Sequence, residues 1–434
     1  NYVNNVQVVS TDSNATPATT LDDPYPMGLL GAPGRDPSYQ QTLLGGNANA
    51  VYADEENGAT YQWNFAVQRQ LPKGIALEVA YAGLHGSNLP MSVGINQVSE
   101  TYLKQAAADS NCVGPTSNLS TKCFLTVKVA NPFYGKISQG TLQNPTVSQN
   151  QLLRPYPQYG SITNTGAYRG FSNYNALQMK VEKRFPKGGV LLGSYTFSKL
   201  MANAETLTSW LDSATGSAGY QNLNDLSREY SLSSFDSRQR LVVSYVYSLP
   251  FGRNQRFLAN VSGLADKLVS GFGFNGVTTF QEGYPLGLTM SQNNIGNYAT
   301  TGSTRPDVVQ GCSKSIGGPI QKRLGDISSG GSISNPYFNK ACFAAPATVF
   351  SFGNESRTDN TLRGPGIANF DLALFKDTHL TEKLVLQLRI ESFNLFNRVQ
   401  FGNPNTSIGN ANVGQITRQT NEPRLLQVAG RINF

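Results

Sequence analysis

The chain lacks any long run of apolar residues, and this excludes membrane-spanning helices. No stretch approaches the ~18 consecutive apolar residues that a helix needs to cross a bilayer. Charge is also scarce, because only 14% of the 434 residues are Asp, Glu, Lys or Arg. A membrane-spanning β-strand needs only ~10 residues of alternating character. The mean hydropathy of -0.30 therefore fits a polar-lined barrel as well as it fits a soluble protein.

Histidine and cysteine are too few and too scattered for a metal centre or a catalytic triad. The sequence has two histidines and two local pairs of cysteines: His85, His379, Cys112 with Cys123, and Cys312 with Cys342. Neither cysteine pair has the spacing of metal ligands, and no G-x-S-x-G elbow accompanies either histidine. We therefore expect no enzyme, no cofactor and no metal. Two disulfides within polar loops are the favoured interpretation of the cysteines.

Basic residues exceed acidic ones but form no cluster. The net charge of +7 comes from 34 Lys and Arg against 27 Asp and Glu, with no run of basic residues. No helix is predicted that would carry such a run into a groove of DNA, so nucleic-acid binding is not expected. The acidic group Asp54-Glu55-Glu56 fits a solvated turn better than a calcium loop.

Glycine and aromatic residues are abundant instead, with 43 Gly, 20 Tyr and 22 Phe. The final segment, 423–434, alternates apolar and polar residues, with Leu426 and Val428 on one face and Gln427 and Arg431 on the other. A period of two predicts a β-strand with one apolar and one polar face.

Four further segments repeat this alternation in pairs around short turns. They predict hairpins over 61–83, 173–198, 239–281 and 369–397. Pro-Lys-Gly sequences at 72–74 and 186–188 supply turn chemistry, since Pro fixes φ and Gly accepts positive φ. The third turn is predicted at 250–253, with a return strand near 269–281.

Charged side chains alternate within these strands, and this indicates a barrel rather than a sandwich. A charge buried in a sandwich core is costly, whereas a wet or plugged lumen removes the penalty. The other connections are long: 84–172, 199–238, 283–367 and 398–422. Short periplasmic turns and long extracellular loops are the outer-membrane pattern. Residues 1–60 are predicted to be an extracellular loop, and 423–434 a closing strand.

The expected fold is thus all-β, an antiparallel transmembrane β-barrel portion of about nine strands. Bacterial barrels of one chain have even strand numbers. Because nine is odd, we expect residues 1–434 to form the C-terminal part of a larger barrel.

Several segments carry a family resemblance that covers nearly the whole chain. They include Tyr61-Gln-Trp-Asn-Phe-Ala-Val-Gln-Arg-Gln-Leu-Pro72, Asn131-Pro-Phe-Tyr-Gly135, Arg305-Pro-Asp307, Leu362-Arg-Gly-Pro-Gly366 and Glu391-Ser-Phe-Asn-Leu-Phe-Asn397. In these the chain resembles the C-terminal barrel of Oar-like TonB-dependent receptors, the type with a carboxypeptidase-regulatory-like N-terminal domain.

The resemblance implies a barrel of roughly 22 strands with a plugged lumen, embedded in the lipid of a Gram-negative outer membrane. It implies uptake of a scarce nutrient (a siderophore, glycan or peptide) driven through TonB, ExbB and ExbD. No plug, TonB box or regulatory-like domain is recognised in residues 1–434, so the contact with TonB is expected in a region outside them. The resemblance also makes Phe434 a signal for the barrel-assembly machinery. An outer-membrane adhesion or surface barrel, displaying loops without TonB-coupled transport, is the alternative.

Aromatic residues in the long loops are the candidates for ligand contact, because their rings can stack on a bound molecule. They are Tyr156, Tyr159, Tyr168, Trp210 and Tyr220. Ordinary packing within the loops is the competing interpretation of all five.

Overall fold

A computed structural model describes the protein over residues 43–51, 54–113, 119–186, 188–204, 220–222, 224–253, 255–295, 298, 304–327, 333–381 and 383–434. Nine long strands dominate it: β1 Ala59–Leu71, β2 Ile75–Gly94, β3 Ile162–Arg184, β4 Gly189–Ala202, β5 Gln239–Ser248, β6 Phe272–Gln281, β7 Ile367–His379, β8 Val385–Phe393 and β9 Leu425–Asn433. Each pairs antiparallel with its neighbour in sequence, so that β1 and β9 form the two edges of this sheet. The predicted antiparallel all-β fold is confirmed.

Short elements decorate the connections between these strands. The helices are α1 Glu100–Ala107, α2 Gln149–Leu152 and α3 Gly263–Val269, with 3₁₀ turns at Gly140–Gln143, Leu226–Glu229, Ile320–Lys322 and Lys340–Cys342. None of the helices in the described residues is long and apolar enough to cross a membrane. The short strands are Ala48–Asn49, Lys128–Ala130, Thr146–Ser148, Ser231–Leu232, Thr289–Met290, Asp307–Val308, Asp326–Ile327, Ile333–Ser334, Phe343–Ala344 and Ser407–Ile408.

The strand register lines up apolar side chains in rows across one face of the sheet, here called the apolar face. One row joins Phe65, Tyr81, Leu177 and Phe197 of β1 to β4. These four side chains are 70%, 41%, 41% and 48% exposed, respectively. The opposite face is polar: on it the amide of Gln68 donates to Glu78 at 2.9 Å. Alternation therefore separates a surface suited to lipid from one suited to water.

The strands differ greatly in length, and β2 and β3 extend beyond the predicted hairpin bounds. They contain 20 and 23 residues, whereas β5 and β6 contain 10 each. The connection predicted at 84–172 is therefore shorter and spans 95–161. Pairing continues past Gly86 through register shifts near Leu89 and Met91. A β-bulge inserts an extra residue and moves later side chains to the other face, so the alternation no longer marked these residues as strand.

The third predicted hairpin turn was wrong. Residues 249–271 join β5 to β6, and Val269 ends helix α3 instead of starting the return strand, which begins at Phe272. Leu264 and Leu268 stand four residues apart, which is the spacing of one helix face and not the alternation of a strand. The chain folds back on itself here, and Ser270 lies so close to Gly252 that a Cβ at position 252 would not fit.

The remaining bounds differ less. The fourth hairpin was predicted to reach 397, but β8 ends at Phe393, and Asn394 and Asn397 adopt left-handed φ values of 51° and 50°. Asparagine tolerates that conformation, so the chain turns there. Of the predicted loop 1–60, residues 1–42 lie outside the described residues. Within the rest, Ala48–Asn49 pairs parallel with β3 and β1 already begins at Ala59.

Candidate functional site

Four long connections leave the same end of the sheet and pack together. We name them L1 (95–161, between β2 and β3), L2 (203–238, between β4 and β5), L3 (282–366, between β6 and β7) and L4 (394–424, between β8 and β9). Much of the protein's buried apolar surface lies among them rather than between sheet faces. Together the described parts of L1 to L4 are called the loop layer.

Two apolar clusters join three of these loops. In the first, Leu288 and Phe338 of L3 pack with Ile408 and Ile416 of L4. The second contains Val98, Leu103 and Leu125 of L1 together with Ile295 and Phe350 of L3. Burying one such side chain stabilises the folded state by about 1.5–3 kcal/mol. L1, L3 and L4 are therefore held by interior packing of the kind found in a globular domain.

L2 joins the layer through buried ion pairs. Glu229 and Asp236 belong to L2, and Arg305 and Arg363 belong to L3. Arg305 Nη2 lies 2.8 Å from Glu229 Oε1. Arg363 pairs with the Asp236 carboxylate and also donates to the Asp236 carbonyl at 2.9 Å. All four side chains are buried, so each charge depends on its partner to offset the loss of water.

Arg357 connects these pairs to the wall of the barrel. Its Nη2 donates to the carbonyl of Ala202 at 2.7 Å, and its Nε donates to the carbonyl of Glu229 at 3.2 Å. Ala202 is the last residue of β4. L2 and L3 are thereby fixed to one strand end. We call Glu229, Asp236, Arg305, Arg357 and Arg363 the buried ion-pair cluster.

A second charged group lies nearby within L3. Lys314 Nζ lies 3.1 Å from Glu355 Oε2 and also pairs with Asp359. Burial and the neighbouring Asp359 charge raise the pKa of Glu355 above its usual 4.5. Burial opposes ionisation of Asp359 too, but hydrogen bonds from Lys314 and from the Thr361 and Leu362 amides hold the pKa of Asp359 below its usual 3.8. The pKa values of the two neighbouring carboxyls are thus shifted in opposite directions.

Disulfides reinforce both apolar clusters. Cys112 is bonded to Cys123 in the apolar cluster of L1 and L3, with Cα atoms 4.6 Å apart. Cys312 is bonded to Cys342 in the apolar cluster of L3 and L4, with Cα atoms 5.4 Å apart. Asp109 lies beside the first pair and forms with it a group close enough to hold a metal ion, as judged over the described residues. Because both sulfurs are in the disulfide, neither is a thiolate ligand. The Asp109 carboxylate instead accepts the Phe124 amide at 2.8 Å.

A cavity of about 850 Å³ lies where β2 to β4 meet the loop layer. Tyr81, Leu177 and Phe197 of the apolar face line it, and the loops contribute Tyr230, Asp236, Arg238, Ser356, Thr358, Asn360, Thr361 and Arg363. Lys199 adds a third cation to its wall, besides Arg238 and Arg363. Because its lower wall belongs to the apolar face, this cavity borders the lipid side of the strands.

The predicted ligand contacts are dispersed. Tyr156 and Tyr159 share one turn of L1, in which the Tyr159 amide donates to the Tyr156 carbonyl at 3.1 Å. Tyr168 lies on β3, 39% exposed. Tyr220 is half-buried in L2 against the apolar cluster of Met91 and its neighbours. Trp210 lies outside the described residues.

His85 and Glu55 are both hydrogen-bonded to residues of β3. His85 Nδ1 lies 2.8 Å from Asn173 Oδ1, and its ring stacks on Tyr61. His379 ends β7. Glu55 accepts hydrogen bonds from the Asn164 side chain at 3.0 Å and from the Tyr168 amide at 2.7 Å.

The sequence did not predict the buried ion-pair cluster. Its pairs join residues more than 70 positions apart, and no local period reveals such partners. One signal was present. Arg305-Pro-Asp307 and Leu362-Arg-Gly-Pro-Gly366, both quoted for the family resemblance, contain two of the buried arginines.

Among solved structures, the chain is similar to the outer membrane transporter YddB from Escherichia coli, with 8% identity, a TM-score of 0.36, and coverage of 89% of this chain and 34% of that one. It is also similar to the ferric citrate transporter FecA in its unliganded form, with 10% identity, a TM-score of 0.32, and coverage of 86% of this chain and 30% of that one. A third similar structure is P. aeruginosa FpvA bound to heterologous pyoverdines, with 10% identity, a TM-score of 0.31, and coverage of 86% of this chain and 27% of that one.

The chain spans about a third of the length of these solved proteins. No curated protein matches it. The family described as outer membrane beta barrel domain matches residues 1–427, nearly the whole chain. The chain therefore belongs to the outer membrane β-barrel domain family, and its place is the outer membrane of a Gram-negative bacterium.

Proposed function

We propose that this chain forms part of the barrel and the loop layer of a TonB-dependent receptor. This receptor binds a scarce nutrient outside the cell and imports it. One observation carries the proposal: four long loops are packed into a single layer and fixed to the wall through Arg357 and the Ala202 carbonyl. A receptor needs ligand contacts held in a fixed geometry before the ligand arrives, since ordering them during binding costs affinity.

The chemistry of the layer suits binding rather than covalent catalysis, so we propose that the ligand passes unchanged. Its exposed aromatic side chains include Tyr134 and Tyr156, which are 57% and 47% exposed. The surrounding loops are rich in Asn, Gln and Ser. Aromatic stacking and amide hydrogen bonds suit a siderophore, a glycan or a peptide. The Oar-like, carboxypeptidase-regulatory type and the partnership with TonB, ExbB and ExbD belong to this proposal, on the sequence resemblance given above.

Uptake by the full-length protein tests the proposal. Labelled ferric siderophores, oligosaccharides and peptides are presented to cells that carry the protein, with or without a functional TonB. We expect one class to accumulate only when TonB is functional, and to bind in both strains. Arg357→Ala, which removes one of the bonds between the loop layer and β4, should weaken binding, whereas the exposed Arg228→Ala should not.

The same experiment distinguishes the adhesion alternative. If no ligand accumulates, and if the cells adhere to surfaces equally with and without TonB, the chain is a display barrel and the transport proposal fails.

A further inference from the structure

The connection between β5 and β6 carries an unusually exposed set of apolar side chains. Leu264 and Leu268 of α3 are 81% and 70% exposed, and Leu258 is 53% exposed. No residue of α3 is buried. The two helix leucines stand four residues apart, so they share one face of the helix. Proteins in water rarely leave several neighbouring apolar side chains this exposed.

A hydrogen-bonded lysine places this helix on the lipid side of the wall. Lys376 lies in register with Phe272 and belongs to the same face of β7 as Leu372 and Leu374, which is the apolar face. Its Nζ donates to the carbonyls of Lys267 and Ser270 at 2.7 and 2.8 Å. The C-terminal end of α3 is therefore fixed beside the apolar face, at the rim where the short turns lie.

The connection is folded rather than loose. The Asp266 carboxylate accepts the Arg253 amide at 3.1 Å and pairs with the Ser270 hydroxyl. The Gly252 amide donates to the Phe257 carbonyl at 3.0 Å. These bonds hold the helix in one orientation, so its exposed leucines point in a fixed direction.

The charges of the connection match a surface of lipid phosphates. Arg253, Arg256 and Lys267 are exposed, and Asp266 is the single acidic residue between 249 and 271. A short amphipathic helix with apolar residues on one side and basic residues around it lies flat in a membrane interface. Because Leu374 beside it is itself 43% exposed on the apolar face, the leucines of α3 continue the surface that meets acyl chains.

We propose that α3 is an interfacial anchor in the periplasmic leaflet of the outer membrane. In this arrangement Leu264 and Leu268 insert among the acyl chains, and Arg256 and Lys267 contact phospholipid phosphates. The anchor is independent of the nutrient that the barrel imports, and it requires only the outer-membrane location.

Single tryptophan probes in the full-length protein test the anchor. In a background in which every tryptophan of that protein, Trp63 and Trp210 included, is replaced by phenylalanine, Leu264→Trp and Leu268→Trp are folded into vesicles of phosphatidylethanolamine and phosphatidylglycerol that include a brominated phospholipid. Leu374→Trp serves as the lipid-immersed reference. Val113→Trp, at a site 71% exposed in L1, serves as the aqueous reference. Folding is checked for each variant by heat-dependent migration on gels.

We expect both α3 probes to emit at short wavelength and to lose most of their emission to the brominated lipid, as Leu374→Trp does. Emission and quenching like those of Val113→Trp would overturn the proposal, because the helix face would then be in water and open to a protein partner. As a second measurement, Arg256→Gln with Lys267→Gln should reduce quenching in vesicles that contain phosphatidylglycerol and leave the Val113→Trp signal unchanged.

Discussion

Arg305 Nη2 lies 2.8 Å from Glu229 Oε1, and these side chains are 2% and 0% exposed. The pair joins L2 to L3 across the loop layer. The residue next to Glu229 in L2 forms an exposed pair instead: Arg228 lies 3.1 Å from Asp225, and its side chain is 63% exposed. A guanidinium and a carboxylate therefore meet in a buried pair and in an exposed pair at neighbouring positions of L2, which makes the exposed pair a control for the buried one.

Arg305→Met should destabilise the loop layer by about 3–5 kcal/mol, because the buried Glu229 carboxylate loses its ion-pair partner. Arg228→Met should cost less than about 1 kcal/mol, since an exposed pair is screened by water. Hydrogen exchange of peptides from L2 and L3 measures both. In the double variant Arg305→Met, Glu229→Gln, most of the loss should be recovered. Equal effects of Arg305→Met and Arg228→Met would show that the buried pair does not hold the layer.

The carboxyls beside Lys314 should give the layer a pH dependence of two opposite signs. The pKa of Glu355 is raised above 4.5, so its stabilising contribution is present below that value and is lost as the pH rises through the raised pKa. The pKa of Asp359 is lowered below 3.8, so its contribution is present above that value and is lost as the pH falls through the lowered pKa.

Glu355→Gln should therefore stabilise L3 at neutral pH and have little effect in acid. Asp359→Asn should destabilise it at neutral pH by about 1–3 kcal/mol, a difference that fades in acid. Hydrogen exchange across the pH range, corrected for the intrinsic exchange rate, measures these changes. Parallel pH profiles for the two variants would contradict the assignment.

The strands could be predicted because their alternation is local and their two faces meet different solvents. Each of Phe65, Tyr81, Leu177 and Phe197 could be assigned to the apolar face from the alternation within its own strand. The part of β2 beyond Gly86 could not be predicted, because register shifts there interrupt the alternation of apolar and polar residues. Helix α3 was hidden for a related reason: seven residues are too few to establish a helical period.

The loop layer could not be derived from the sequence, for a different reason. Its stability depends on pairs such as Arg363 with Asp236, which lie far apart along the chain. The composition of the loops indicated surface turns, and nothing in a stretch rich in Gly, Ser and Asn reveals which arginine is buried. The two cysteine pairs are local, and in the structure each is joined as the local spacing suggested.

Gly83→Ala should displace the Trp63 indole from the apolar face. A Cβ at Gly83 would overlap the Trp63 ring, which lies across the glycine on the neighbouring strand. Gly193 offers a matched control on β4, because a Cβ there meets nothing within 4 Å. In a Trp210→Phe background, the fluorescence of Trp63 should shift in Gly83→Ala and stay constant in Gly193→Ala. An unchanged spectrum in both would show that the ring does not depend on this contact.

Phe434→Asp should slow insertion of the barrel more than it disturbs the loop layer. Phe434 is fully exposed beyond the end of β9, next to Ile432 of the apolar face at 56%. Its proposed role is recognition by the barrel-assembly machinery. Folding into vesicles with and without that machinery measures the effect, with Gln427→Asp on the polar face as the control. Equal slowing of both variants, or slowing only without the machinery, would remove the role from Phe434.

The unequal strands give the barrel wall a sloping rim. At about 3.3 Å per residue, β3 is about 75 Å long, whereas β5 and β6 are about 33 Å long. The ion-pair cluster attaches L2 and L3 to the tall side, at the end of β4. β2 and β3 therefore extend as a paired wall beyond the level at which β5 and β6 end, so the sheet supports the loop layer unevenly around its circumference.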